Sequence, residues 1–183
     1  EIPEVINENY HLIDLSGFLD DVEKWFDNDE MAKWNLNNIG SSFIKQYIND
    51  DLDKLQDEMK DSIDTLDTLA KDVSNKILNY DSSIKQKGDI VKVDSTDAEG
   101  FYLWITTSKK KILDKLVKTL DSKSDILSSQ IKNMVKHCRS YAGGFRLLSP
   151  HITELSNKIL ALREKVRDLT RKIYLSKLGI LQE

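Results

Sequence analysis

The stretch PHITELSNKILALREKVRDLTRKIYLSKL, residues 150–178, decides the fold of this chain. Its apolar residues recur at alternating steps of three and four, the pattern of a helix that buries a single stripe. Residues 50–78 carry a similar stripe, so the two helices most simply bury each other's apolar faces. The stripes consist of Ile152, Leu155, Ile159, Leu162, Val166, Leu169 and Ile173, and of Leu52, Leu55, Met59, Ile63, Leu66, Leu69, Val73 and Ile77.

The segment between the two helices contains a β-hairpin pattern. Ile90, Val91 and Val93 predict one strand, residues 94–99 a polar loop, and residues 100–107 a second strand rich in aromatic and branched side chains. A two-stranded hairpin is marginal in water, so it must pack on helices or gain further strands. The apolar faces of residues 112–120 and 126–135 are the expected cover. Gly143 and Gly144 predict a turn, and Ser149 followed by Pro150 predicts the start of the returning helix.

The predicted fold class is therefore mainly α, an antiparallel coiled-coil-like arm of two long helices with a small α+β domain and its hairpin at the tip. The predicted divisions are residues 1–48, 49–79, 80–148 and 149–183. Because the chain starts at Glu1 and ends in helical sequence, we expect a piece of a longer protein. A further helix should start near Ser16, and its apolar side should consist of Phe18, Leu19, Val22, Trp25 and Phe26. We expect Trp25, Phe26 and Trp34 to pack against a neighbouring part of that longer protein.

Charge is distributed unevenly along the chain. The net charge is only -4, yet residues 1–80 hold nineteen acidic against seven basic side chains, whereas residues 105–148 hold ten basic against three acidic. Such a run is often an ordinary solvated face. A basic tip on an acidic shaft would instead confine attraction for a polyanion to one end, because charges are screened beyond about 8–10 Å at physiological salt. The phosphate backbone of nucleic acid is the polyanion that this pattern favours.

Several functional classes find no support in the sequence. There is no run of roughly 18–20 apolar residues for a membrane span and no signal-peptide pattern, which predicts a soluble, intracellular protein without a membrane partner. The single Cys138 cannot form an internal disulfide. His11, His137 and His151 lie in separate elements, so spacing supports neither a metal site nor a catalytic triad. No phosphate-binding G-x-x-x-x-G-K-[ST] loop is present. We therefore expect a non-enzymatic module with no cofactor of its own.

Three segments carry a resemblance to a known family, and they are FIKQYINDDLDKLQDEM at residues 43–59, IVKVDSTDAEGFYLWITTSKKK at residues 90–111 and FRLLSPHITELSNKI at residues 145–159. In order and spacing they resemble the MutS family of DNA mismatch-recognition proteins. The first resembles the start of that family's lever helix, the second its clamp hairpin, and the third the return from the clamp into the lever. The resemblance covers residues 43–175, and the first 42 residues match poorly. The composition, rich in Asn, Asp, Lys and Ile, suggests a divergent lineage of viral or organellar origin.

The resemblance implies a lever and clamp that hold double-stranded DNA through its backbone, in a homodimer joined by an ATPase domain that lies elsewhere in the parent. ATP and Mg would belong to that parent. Backbone contacts position DNA without reading its sequence. In one respect the chain departs from the family, since the family's backbone-contacting lysine falls on Ala142. The candidate contacts are Lys109, Lys110, Lys111, Lys132, Lys136, Arg139, Ser140 and Arg146, with Lys136, Arg139 and Arg146 favoured.

An alternative reading is a coiled-coil scaffold or tether whose tip binds another protein. That reading keeps the same arm but makes the basic run incidental. The ordered match of three motifs favours DNA, whereas the missing clamp lysine favours the scaffold. A phosphate-binding loop downstream of Glu183 would distinguish the two classes.

Overall fold

The computed structural model describes residues 16–34, 41–84, 89–96, 100–121 and 125–180. These ranges are mainly helical and contain one four-stranded antiparallel sheet. The prediction of a mainly α fold with a small β component is confirmed to this extent. The chain divides into two compact units, residues 1–52 with 167–183, and residues 53–166. The elements are α1 Ser16–Trp25, α2 Asn28–Met31, α3 Asp50–Tyr80, β1 Val91–Thr96, β2 Gly100–Thr106, α4 Thr107–Thr119, α5 Ile126–Lys136, β3 Arg139–Tyr141, β4 Gly144–Leu147 and α6 Pro150–Ile180.

The two long helices α3 and α6 begin and end within two residues of the predicted positions. The Asn49 side chain accepts a hydrogen bond from the Leu52 amide at 2.9 Å and so satisfies one of the N–H donors that have no partner within the first turn of α3. Ser149 accepts the Ile152 amide at 3.2 Å, and Pro150 is the first residue of α6, as the sequence predicted. No helix in the described ranges has both the length and the apolarity that crossing a bilayer requires.

Within the second unit, α3 and α6 make contacts in antiparallel order. His151 lines a groove together with Thr68 of α3. Further along α6, the Lys158 ammonium lies 3.0 Å from the Glu58 carboxylate. A later residue of α6 thus contacts an earlier residue of α3, as in an antiparallel pair of helices. Most of the apolar stripe residues in this unit are buried, as the three-four pattern requires.

The sheet has strand order β1-β2-β4-β3, with antiparallel neighbours throughout. The hairpin thus both gains strands and packs on helices. One face is apolar, and its Val91, Leu103, Ile105 and Leu147 are fully buried in the core. The helices contribute Leu66, Val73 and Ile77 from α3, Leu113 from α4, Ile131 and Met134 from α5, and Ile152 and Ile159 from α6 to the same core.

Two predicted boundaries in the sheet are corrected. The polar loop expected at residues 94–99 is partly strand, because β1 continues to Thr96 through its pairing with β2, where Asp94 faces Tyr102. Residues 97–99 of that loop lie outside the described residues. The second strand ends at Thr106 rather than Thr107, since the Thr106 side chain caps α4 by accepting the Lys109 amide.

The turn expected at Gly143 and Gly144 is displaced by one residue. Its two central residues are Ala142 and Gly143, with φ of 42° and 76°, and Tyr141 pairs with Gly144 across it. Two consecutive positive φ values are typical of the type I′ hairpin turn, which favours Asn-Gly because Asn tolerates the left-handed region. Alanine is strained there.

We expect Ala142→Asn to raise the free energy of unfolding by about 0.5–1 kcal/mol, because Asn removes most of the backbone strain at the first turn position. Urea denaturation followed by circular dichroism measures the change. Ala161→Asn, at an exposed position in the middle of α6, is the matched control and should destabilise instead. A loss of stability in Ala142→Asn would contradict the assigned turn.

Asp125 caps the start of α5 and joins it to α3. Its carboxylate accepts the Ser128 amide at 2.5 Å and lies 3.1 Å from the Lys76 ammonium. These interactions, the Ser128 amide foremost, lower the pKa of Asp125 to about 2. Because the pKa is lower in the folded state, the stability due to the carboxylate is complete above its ordinary pKa near 3.8 and is lost as the pH falls towards 2.

We expect Asp125→Asn to reduce the urea midpoint at pH 7, since the amide still caps α5 but cannot pair with Lys76. The difference from the unsubstituted chain should shrink as the pH falls from about 4 to 2.5, where the native carboxylate itself becomes protonated. Asp57→Asn, at an exposed position of α3, controls for the change of net charge. A difference that stays constant across this pH range would be inconsistent with the assigned cap.

The first unit contains an aromatic cluster of Phe26, Phe43 and Tyr174. Ring centroids lie 6.1 Å apart for Phe26 and Phe43, and 5.5 Å apart for each of these rings and Tyr174. The expectation that Phe26 packs against another part of a longer protein is therefore wrong, because Phe26 is buried within this chain. Leu19, expected on the apolar side of α1, is 53% exposed.

Candidate nucleic-acid interface

A groove of about 790 Å³, here called the edge groove, has two walls. One wall is the end of α5 and the start of β3, and the other is the first two turns of α6. Two of the predicted contacts, Lys136 and Arg139, line it, and both side chains are exposed. α5 ends at Lys136 and β3 begins at Arg139, so the short connection between them directs both cations to one place. The remaining lining residues are His137, Cys138, Leu148, Ser149, Pro150, Thr153, Glu154 and Asn157.

The edge groove favours an anion over a cation. Lys136 and Arg139 supply two positive charges, whereas Glu154 is the one carboxylate among the lining residues. The start of α6 forms the opposite wall, and the helix dipole adds positive potential there. The residues described by the structure contain no cluster of three or more His, Cys, Asp or Glu side chains fit for a metal ion. The groove is thus suited to phosphate or carboxylate oxygens, which Lys and Arg bind through charge-assisted hydrogen bonds.

Arg146, a favoured contact in the sequence, is 6% exposed. Its guanidinium carbon lies 3.4 Å from the centre of the Tyr141 ring and 4.4 Å from that of Tyr102. The Tyr102 hydroxyl in turn donates to Asp94 at 3.2 Å. Burial raises the pKa of Tyr102 to about 12, and the Asp94 carboxylate adds to this shift. Arg146 is therefore held by stacking, which suits a structural role beside the exposed Arg139.

The three consecutive lysines at the start of α4 point in different directions. The Lys110 side chain is buried, pairs with Asp114 and lies 5.4 Å from the centre of the Phe145 ring. Lys109 is half-buried near Asp81, whose pKa is lowered chiefly by hydrogen bonds from Ser83 and further by the Lys109 charge. Lys111 is exposed. Of these three, the exposed Lys111 is the most accessible to a partner.

The remaining two predicted contacts have different positions. Lys132 is half-buried and lies four residues before Lys136, so both occupy one side of α5. Ser140 is exposed but pairs with Phe145, which packs against the core, while its neighbour Arg139 pairs with Arg146 on the other face of the sheet. Ser140 and Arg139 therefore cannot contact the same phosphate from one face.

Of the outer sheet face, which is the face opposite the core, the sequence singled out Arg139 and Arg146 but missed the other residues. The signal was present in the period-two alternation, because Lys92 and Asp94 in β1, and Tyr102 and Trp104 in β2, alternate with buried apolar residues. Arg139 and Tyr141 of β3 could not be found in this way, since a three-residue exposed strand has no visible alternation. The outer sheet face consists of Lys92, Asp94, Tyr102, Trp104, Arg139, Tyr141, Gly144 and Arg146.

Comparison with known proteins shows one informative similarity. The chain is 28% identical over 174 aligned residues to a protein of Acanthamoeba polyphaga mimivirus named "Putative DNA mismatch repair protein mutS homolog". The alignment covers 83% of this chain but only 14% of the length of that viral protein. No family model matches the chain. The similarity agrees with the resemblance seen in the sequence. Of the viral or organellar origin expected from composition, the viral source of the relative is compatible with the first.

Proposed function

We propose that this chain is the lever and clamp module of a MutS-like mismatch repair protein and that it holds duplex DNA by contacts to the backbone. The observation that carries the proposal is the convergence of the exposed Lys136 and Arg139 on one groove. The similarity to the mimivirus protein supports the choice of DNA as the anion. Contacts to phosphate alone would give binding without sequence or mismatch preference.

In this proposal α3 and α6 are the lever helices, residues 80–148 form the clamp, and residues 1–48 are part of a core. Two such modules would enclose duplex DNA in a homodimer. ATP hydrolysis with Mg would take place in a domain of the parent outside this chain. The half-buried to buried apolar stripes of α3 and α6 support the assignment of these two helices as the lever helices.

The positions of the side chains rank the candidate contacts. Lys136 and Arg139 are the principal ones, followed by the half-buried Lys132 on the same side of α5 as Lys136 and by the exposed Lys111 of α4. Lys110 and Arg146 are buried and would act by holding α4 and β4 in place. Ala142, at the position of the family's contacting lysine, lies at the tip of the β3–β4 turn, one residue beyond β3. Arg139, three residues earlier in the same hairpin, is suited to supply the charge that Ala142 lacks.

We expect the double variant Lys136→Ala and Arg139→Ala to bind a duplex of roughly 30 base pairs about tenfold more weakly than the unsubstituted chain at about 100 mM salt. Fluorescence anisotropy of a labelled duplex measures the affinity. Lys60→Ala with Lys71→Ala, at two exposed positions of α3, is the matched control and changes the net charge equally. A duplex with one mismatch should bind with the same affinity as a fully paired one.

Equal weakening in both double variants would show that only net charge matters and would refute the groove as the contact site. No binding by the unsubstituted chain, even at low salt, would favour the alternative of a coiled-coil scaffold whose tip binds protein. The half-buried to buried stripe of α6, from Ile152 to Ile173, is the feature that this alternative shares with the clamp.

A further inference from the structure

Four residues form a continuous row across the outer sheet face. Lys92 pairs with Trp104, Trp104 with Arg146, and Arg146 with Arg139. The row therefore crosses all four strands, with an exposed cation at each edge and an aromatic ring near the middle. Neighbouring strands are about 4.8 Å apart, so the row is about 14 Å long. This length accommodates a few linked ligand units better than a single small anion.

The Trp104 indole packs against β4. A β-carbon added at Gly144 would lie 2.8 Å from both Cε2 and Cζ2 of the indole, so the ring covers the backbone of β4 at this glycine. One side of the ring is thereby in contact with the protein. Since Trp104 is half-buried rather than buried, part of the indole remains accessible on the outer sheet face. A partly accessible indole supported by a sheet is a stacking surface for a planar ring.

The side chains around Trp104 fix the platform and give it positive charge. Arg146, beside Trp104 in the row, is stacked on Tyr102 and Tyr141, and Tyr141 itself is 38% exposed. The Asp94 carboxylate on this face accepts the Tyr102 hydroxyl. The exposed charged ends of the row, Lys92 and Arg139, are both positive. Aromatic rings between cations are the arrangement that binds single-stranded nucleic acid, through stacked bases and paired phosphates.

We propose that the outer sheet face binds single-stranded nucleic acid, with a base stacked on Trp104 and flanking phosphates at Lys92 and Arg139. This inference goes beyond the proposed function, which concerns duplex backbone at the edge groove. A duplex keeps its bases stacked on each other and offers no free base face to an indole. A segment of separated or frayed strand next to the clamped duplex is the ligand that this face fits.

The test is a titration of the whole chain with an oligothymidine of roughly 12 nucleotides, followed by tryptophan fluorescence and by anisotropy. The unsubstituted chain should bind with quenching. Trp104→Leu should abolish the quenching and weaken binding roughly ten- to hundredfold, because one stacked base is lost. Lys92→Ala changes an exposed residue and leaves the core intact. It should lower the affinity for oligothymidine and make that affinity less dependent on salt concentration. Trp34→Leu removes a tryptophan from the other unit and should change neither binding nor the quenching due to Trp104.

Because Arg139 belongs to both sites, Trp104→Leu and Lys92→Ala are the variants that separate them, and both are also titrated with duplex DNA. Trp104→Leu and Lys92→Ala should bind duplex like the unsubstituted chain, since neither residue lines the edge groove. Oligothymidine binding that is unchanged in Lys92→Ala and in a folded Trp104→Leu would overturn the inference. Failure of the unsubstituted chain to bind oligothymidine would also overturn it, whatever the duplex titration shows. Failure to bind duplex alone would count against the proposed function and not against this site.

Discussion

Replacing Leu103 by Ala is expected to lower the free energy of unfolding by about 3 kcal/mol. Leu103 is fully buried in the inner strand β2, where it pairs with Val93 on one side and Leu147 on the other. Truncation leaves a cavity between the sheet and the helices that cover it. Paired strands on both sides prevent β2 from moving to close that cavity, so both the transfer and the cavity contributions to the loss remain.

Urea unfolding followed by far-ultraviolet circular dichroism measures this loss, and the midpoint should fall without a change in the slope m. Leu175→Ala is the matched control, because Leu175 is 50% exposed on α6 and its truncation should cost less than about 1 kcal/mol. If the two variants lost equal stability, the sheet would not be the centre of the core described above.

Replacing Gly144 by Ala is expected to cost about 2 kcal/mol or more. The new β-carbon would meet the Ile105 carbonyl oxygen, which is held in the sheet by the pairing of β2 with β4. It would also lie 2.8 Å from two atoms of the Trp104 ring. The carbonyl cannot move without breaking the ladder, and the indole can move only by giving up its contact with β4. The substitution should therefore lower both stability and the affinity for oligothymidine.

Thermal unfolding and an oligothymidine titration of Gly144→Ala check both effects. Gly179→Ala is the matched control, because a β-carbon at this position of α6 meets no atom within 4 Å. Alanine also favours helix over glycine, so the control should be neutral or slightly stabilising. A stable Gly144→Ala with unchanged Trp104 fluorescence would contradict the close approach of the indole to β4.

The long helices could be predicted because the spacing of their apolar residues along the sequence alone indicates a helix. Ile152, Ile159 and Val166 recur at helical spacing and are all buried. Ser149 and Pro150 mark the start of α6 by local chemistry alone. The strands β3 and β4 were not predicted, since strands of three and four residues on either side of a turn are too short to show a periodic signal. Their pairing with β2 depends on contacts distant in sequence, which composition cannot reveal.

The environment of the basic residues could not be read from the sequence for a related reason. Lysine and arginine are usually exposed, so Lys110 and Arg146 were predicted as contacts on the same grounds as Lys136 and Arg139. Arg146 is buried because β3 places Tyr141 on the same face of the sheet, where it stacks on the guanidinium. Lys110 is buried between Asp114 and Phe145. Strand register and side-chain stacking decide such cases, and neither is visible before the fold is known.

The salt dependence of duplex binding tests the central claim most directly. The logarithm of the binding constant, plotted against the logarithm of salt concentration, should fall with a slope to which each phosphate contact contributes about -0.9. We predict that Lys136→Ala with Arg139→Ala makes this slope shallower by roughly 2, whereas Lys60→Ala with Lys71→Ala leaves it unchanged. Equal slopes in the unsubstituted chain and the Lys136 and Arg139 double variant would contradict a clamp that holds the DNA backbone at the edge groove.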